Sequence, residues 1–213
     1  MEKIIKLPRL GLLAPTMDST LLKIMEESGE LARAVLKFED RGTELAPCFG
    51  LLTSVAEELL DVAQTCVTMI FVLEDAHGID PGEMIGIHLD KLKEKGYSYN
   101  PNIRYYIQSN GHYKYLNLPR LDIPRVDLLK TVCKIQEEIG ELTQILGKNA
   151  GKSGEKKRET DTNKLFKGSA LELLDIAQCC FTMLYILEEN YNMDMDGILF
   201  KHLEKLRAKG YCA

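Results

Sequence analysis

Apolar residues recur at close to helical period from Thr20 to Phe38, at Leu21, Ile24, Leu31 and Val35, which predicts an amphipathic helix. Leu51 to Ala76 is longer and apolar on nearly every side, the pattern of a helix buried at the centre of a bundle. Asp80-Pro81 then supplies an N-cap and a first-turn proline for a third helix that ends at Gly96. The same succession returns at about residues 125–146, 165–191 and 194–209. Between the two sets, Asn110-Gly111 lies between the β-prone stretches 103–107 and 112–116 and predicts a hairpin, hence a short β-ribbon linker. Extended chain there is also free to pair with residues 3–7. The expected fold class is all-α.

The recurrence is a true internal repeat. Leu7-Pro8-Arg9-Leu10 returns as Leu118-Pro119-Arg120-Leu121, and KIMEESGEL from Lys23 returns as KIQEEIGEL from Lys134, both at an offset of 111. EELLDVAQTCVTM from Glu57 matches LELLDIAQCCFTM from Leu171, and HLDKLKEKGY from His88 matches HLEKLRAKGY from His202, now at an offset of 114. Copy one is therefore residues 1–98, the linker 99–111, and copy two 112–213. The three extra residues fall in the polar, glycine-containing, basic loop KNAGKSGEKKRETDTNK of copy two, which reads as a mobile connection.

Composition narrows the function classes. The chain of 213 residues is 45% apolar and 28% charged, with a formal net charge of −5 and a pI near 5.5. A mildly acidic protein has no electrostatic reason to seek a nucleic-acid polymer or a membrane surface, whereas a small phosphorylated ligand held through metal ions remains open. None of the six cysteines forms a CxxC pair, and Cys66, Cys133, Cys179 and Cys180 fall in apolar helical stretches, the pattern of reduced core cysteine. The N-terminus lacks the apolar core of a signal peptide, and the strongest apolar run, Cys66 to Leu73, is too short to span a bilayer. A cytoplasmic protein is expected.

The chemistry sits in repeated carboxylates. Glu27 and Glu30 are three apart and share one face of the first helix, and Glu58 and Asp61 do the same on the second. Antiparallel packing of the two helices brings all four to one seam, and copy two offers Glu138, Glu141, Glu172 and Asp175 in the same arrangement. Carboxylates among Val55, Leu59, Leu60, Val62 and Ala63 cost several kcal/mol each to bury unpaired. A hard divalent cation offsets that cost with oxygen ligation. A di-iron bundle would use Glu-x-x-His, and none of these eight acids has a histidine three residues on. The cofactor read from these residues is Mg²⁺, with Mn²⁺ an alternative. A single ExxE is ordinary solvated helix surface. An ExxE followed by an ExxD on an apolar helix, twice in register, is not.

The EExGEL block followed by EELLDV or LELLDI resembles the MazG nucleotide pyrophosphohydrolases, and KLKEKGY and KLRAKGY resemble the close of a MazG-like subgroup. The resemblance covers most of both copies and leaves out the linker and the basic loop. It implies an all-α fold of four-helix-bundle character, completed by pairing two domains. Here that means tandem copies forming an intramolecular pseudo-dimer, with further homodimerisation open. It implies Mg²⁺ held by Glu27, Glu30, Glu58 and Asp61, and by Glu138, Glu141, Glu172 and Asp175. The implied reaction is cleavage of a nucleoside or deoxynucleoside triphosphate to the monophosphate and pyrophosphate. A phosphoribosyl-ATP pyrophosphatase-like hydrolase and a non-catalytic metal-binding regulatory module are the alternatives.

Within that frame Glu27 and Glu138 are the candidate general bases. Lys91 and Lys95, matched by Lys205 and Lys209, are spaced to contact phosphate, or equally to complement a helix C-terminus. His88 and His202 read as packed or capping residues, and Tyr97 and Tyr211 as closing the helix end. The basic residues Lys156, Lys157, Arg158, Lys164 and Lys167 read as solvated, with closure over a triphosphate the sharper alternative. No base-recognition signature is readable.

Overall fold

The computed structural model describes residues 4–11, 15–40, 48–102, 105, 107–110, 113–149, 151, 154, 156 and 161–212. Its elements are β1 (Leu7–Pro8), α1 (Met17–Glu39), α2 (Cys48–His77), α3 (Pro81–Glu94), β2 (Ile107–Asn110), β3 (Tyr113–Leu116), α4 (Leu128–Gln144), α5 (Thr162–Tyr191) and α6 (Met195–Ala208). A five-residue π-helical turn, Ile145–Asn149, extends α4. The protein is all-α, with one small sheet.

Local chemistry accounts for the helix ends. α1 begins three residues before the periodic pattern because Thr16 and Ser19 cap each other's backbone N–H groups, at 3.1 and 2.8 Å. α3 opens on Asp80, whose carboxylate accepts from Gly82 N at 2.8 Å, and stops ahead of Gly96 at φ 82°. α6 repeats this with Asp194 and Gly210. α4 starts at Leu128, not at residue 125. Arg125 takes a left-handed φ of 58°, and Asp127 is the N-cap, accepting from Lys130 N at 2.8 Å.

The four long helices close a ring: α1 packs on α2, α2 on α5, α5 on α4, and α4 back on α1. The α2–α5 seam is the centre, with Val55, Leu59, Val62, Cys66, Ile70, Leu173, Ile176, Cys180 and Leu184 all buried. A continuous apolar cluster running through both repeats is the main source of stability. The third helices cross over. α3 packs chiefly against α5, and α6 packs against α2, so each repeat's last helix lies on the long helix of the other.

A hairpin joins the linker to the start of copy two, with Ile107 opposite Leu116 and Asn110 opposite Tyr113, so its first strand is 107–110 and not the expected 103–107; residues 103, 104, 106, 111 and 112 lie outside the described residues. β1 adds to its edge, pairing Leu7 with Leu116 and Pro8 with Tyr115. This sheet lies on α2, and Ile5 N donates to Tyr185 Oη on α5 at 2.9 Å.

Two sequence expectations need correction. Cys66 and Cys180 are fully buried in the α2–α5 seam, but Cys133 is exposed. α4 buries Thr131, Ile135, Glu138, Ile139 and Leu142, and position 133 falls on its opposite face. The apolar run of copy two is also longer than its counterpart. Among the described helices α5 alone is long and apolar enough to cross a membrane, with a mean hydropathy of 1.6. Some 83% of that window is buried inside the protein, as expected of a central helix in a folded bundle.

Candidate functional site

α1 and α2 bring Glu27, Glu58 and Asp61 together, and α4 and α5 do the same for Glu138, Glu172 and Asp175. In each trio one carboxylate oxygen per residue lies within 4.8 Å of the others. The fourth acids stand further out. Glu30 is half-exposed and paired to Arg33 at 2.9 Å, and Glu141 is exposed. They still act at a distance, since Glu30 is the neighbouring charge that most raises Glu58, and Glu141 helps raise Glu172.

Burial comes first among the causes that push Glu172 from an ordinary 4.5 to about 7, with Asp175, Glu141 and Glu138 adding and Lys91 opposing. Glu58 is raised for the same reasons. Glu58 Oε2 and Glu172 Oε2 are buried without a hydrogen-bond partner. A cluster of carboxylates with unsatisfied buried oxygens is the donor set a hard divalent cation requires, so the residues fit Mg²⁺ or Mn²⁺.

The aspartate of each trio draws its cations from the opposite repeat. Asp61 meets Lys205 Nζ at 2.6 Å and His202 Nδ1 at 3.4 Å, both on α6. Asp175 meets His88 Nδ1 at 3.0 Å and Lys91 Nζ, both on α3. Burial works to raise both aspartates, but the hydrogen bonds and charge of these partners outweigh it and hold both below the usual range. Lys91 and Lys205 are therefore engaged with carboxylates, not merely placed at a helix end. His88 and His202 are buried, as expected, but packed onto a site acid and capping no helix. Glu27 and Glu138 each pair with the lysine one turn earlier, Lys23 and Lys134, at 2.6 Å.

Beside each trio lies a pocket. The first is lined by Leu10, Thr20, Lys23, Gln64, Lys209 and Tyr211, among others, and has a volume of about 420 Å³. The second has the matching residues Leu121, Thr131, Lys134, Gln178, Lys95 and Tyr97, but a volume of about 80 Å³. Lys95, Lys209, Tyr97 and Tyr211 thus belong to pocket walls. Gln64 and Gln178 went unread in the sequence, although both sit in the repeated (V/I)AQ segment one turn past the aspartate. Their amides hold the repeated LPRL segments: Gln64 Nε2 donates to Pro8 O at 2.8 Å and Gln178 Nε2 to Pro119 O at 2.6 Å. Arg9 and Arg120 of those segments pair with Asp75 and Glu189 near the ends of the long helices. From the basic loop, Lys167 belongs to α5 and pairs with Glu83 at 2.6 Å, and Lys164 lies in the first turn of α5. Lys156 is exposed, and Lys157 and Arg158 lie outside the described residues.

Compared with protein-family models, curated proteins and solved structures, the chain gives no significant match.

Proposed function

We propose that the chain is a Mg²⁺-dependent nucleotide pyrophosphohydrolase, cleaving a nucleoside or deoxynucleoside triphosphate to the monophosphate and pyrophosphate. The observation that carries this reading is the adjacency of an acid trio, bearing an unsatisfied buried carboxylate oxygen, to a pocket of about 420 Å³. A pocket of that size falls within the range of small-ligand sites. A purely structural metal site has no use for the space beside it. The two repeats act as halves of a pseudo-dimer, each supplying the α3 or α6 cations of the other's acids.

Glu27, Glu58 and Asp61 would hold the metal, and Glu30 adds negative charge beside Glu58. When bound, the ion screens the polyphosphate charge and orients the attacking water. The chain's own residues do the rest. Glu27, oriented by Lys23 at 2.6 Å, is positioned to take the proton from water, and Glu138 with Lys134 has the corresponding place in copy two. Lys205, beside Asp61, and Lys209 both line the pocket and would supply cations to the phosphate oxygens.

The test is pyrophosphate release from a panel of NTPs and dNTPs with Mg²⁺, Mn²⁺ or EDTA. Metal-dependent release that disappears in a Glu58→Ala/Asp61→Ala/Glu172→Ala/Asp175→Ala protein is expected. A folded protein that binds metal yet releases nothing from any nucleotide would sink the reading.

A further inference from the structure

The two sites differ in the hydrogen bonding around their glutamines and histidines, with His88 Nδ1 left without a hydrogen bond beyond its contact with Asp175 in one and His202 Nε2 left without one in the other. In copy two, Gln178 is fully satisfied: Nε2 donates to Pro119 O at 2.6 Å and Thr182 Oγ1 at 3.0 Å, and Oε1 lies 3.2 Å from His88 Nε2. In copy one, Gln64 Nε2 makes the matching bonds to Pro8 O at 2.8 Å and Thr68 Oγ1 at 3.3 Å. Those two donors orient the amide and leave Oε1 as an acceptor. Yet Gln64 Oε1 has no partner, and neither does His202 Nε2, whose counterpart on His88 meets Gln178. Gln64 is 3% exposed and lines the larger pocket. An unsatisfied buried acceptor at a cavity wall is costly unless a ligand completes it.

The pocket volumes follow the same division, about 420 Å³ in copy one against about 80 Å³ in copy two. At matched wall positions Pro15, Ser19 and Thr65 face Val126, Lys130 and Cys179. Ile123 also fills the smaller pocket, and its counterpart Leu12 lies outside the described residues.

We infer that the chain binds one nucleotide, not two. Its nucleoside enters the copy-one pocket and presents an N–H or O–H donor to Gln64 Oε1, while copy two keeps its acid trio but offers only the small cavity walled by Ile123, Val126, Lys130 and Cys179. This rests on the nucleotide reading above and goes beyond it in assigning which site works and which residue reads the nucleoside. The small copy-two cavity cannot admit a base and sugar, so its trio is left as a metal site.

The experiment is calorimetric titration of the full chain with imido-linked analogues of each NTP and dNTP in Mn²⁺, alongside titration with Mn²⁺ alone. The expected stoichiometry is one analogue per chain. Gln64→Leu weakens it by about tenfold to a hundredfold, the loss of one hydrogen bond to a buried acceptor. Gln178→Leu, which removes the same carbonyl-holding amide from the other repeat, changes affinity by less than about threefold. Thr65→Phe, which fills the pocket and leaves Gln64 in place at the loss of the Thr65 Oγ1 bond to Asp61 O, also abolishes binding if the inference holds. Mn²⁺ binding in the absence of nucleotide is retained in Gln64→Leu and Gln178→Leu. Two analogues per chain, or equal losses from Gln64→Leu and Gln178→Leu, overturn the inference while leaving the nucleotide reading intact. Mn²⁺ binding with no analogue bound overturns both.

Discussion

Replacing Glu172 by Gln should stabilise the metal-free protein, and increasingly so as pH rises. Burial and the surrounding carboxylates move this carboxyl from 4.5 to about 7 in the folded chain. A raised folded value means that the native state holds a proton the unfolded chain would release. The associated stability is complete below about pH 4.5 and is lost as pH climbs through 7. Taken at face value the displacement is worth about 3 kcal/mol, but Glu172 is only partly buried and solvent screening reduces this to about 1–2 kcal/mol. About a quarter of the penalty is expressed at pH 5 and nearly all at pH 8.5. Glutamine keeps the shape and removes the charge. Thermal unfolding in EDTA should therefore show Glu172→Gln melting above the parent by about 2–8 °C at pH 8.5, with the gap shrinking toward pH 5. Saturating Mg²⁺ should raise the parent at pH 8.5 and raise the variant less, because the metal and the missing charge relieve the same repulsion. A variant less stable than the parent in EDTA at pH 8.5, or a gap independent of pH, would refute the account of this carboxylate as a strained metal ligand.

Two further outcomes follow from geometry alone. Because Lys205 faces Asp61 and Lys91 faces Asp175, Lys205→Met should tighten Mn²⁺ by about threefold to tenfold at the copy-one acids, through lost cation–cation repulsion, and leave the copy-two acids unchanged. Lys91→Met should do the reverse. Mn²⁺ titration with the other trio silenced by Asp175→Asn or Asp61→Asn separates them, and an effect within the lysine's own repeat would contradict the helix exchange. Gly29 and Gly140 lie inside α1 and α4, where an added Cβ meets nothing within 4 Å. Gly29→Ala and Gly140→Ala should each add about 0.5–1 kcal/mol in urea unfolding, and a loss instead would show that these positions are packed.

Much of the architecture was legible because helices announce themselves locally. The 3.6-residue period, the Asp-Pro start of α3 and the glycines after α3 and α6 all act within a few residues of where they are read. The acids were legible as four per repeat because i, i+3 spacing puts two carboxylates on one face, but the structure gathers only three, with Glu30 and Glu141 further out. What packs against that face is non-local. Nothing in HLDKLKEKGY or HLEKLRAKGY says whether each helix folds back on its own repeat or reaches the other, since both copies present equivalent apolar surfaces. The lysines were consequently noticed but left without partners, and the histidines were given no site role. Gln64 escaped notice because one amide in an apolar helix carries no periodic signal. Only the distance to Pro8 O and the unpartnered Oε1 mark it.

The exchange of third helices gives copy two a purpose that does not depend on its own pocket. Asp61 is held ionised by His202 and Lys205, and α2 is covered along its central seam by α5, so the copy-one acids are assembled from both halves of the chain. Without copy two, Asp61 would lose both cations while keeping Glu27 and Glu58 beside it, and the apolar face of α2 would open to water. Either loss alone would disperse the cluster, through carboxylate repulsion in the first case and loss of buried apolar area in the second. In the other direction copy one supplies His88 and Lys91 to Asp175, and His88 Nε2 lies 3.2 Å from Gln178 Oε1. The same crossover thus serves both acid trios, and the contact of His88 with Gln178 has no counterpart between His202 Nε2 and Gln64 Oε1.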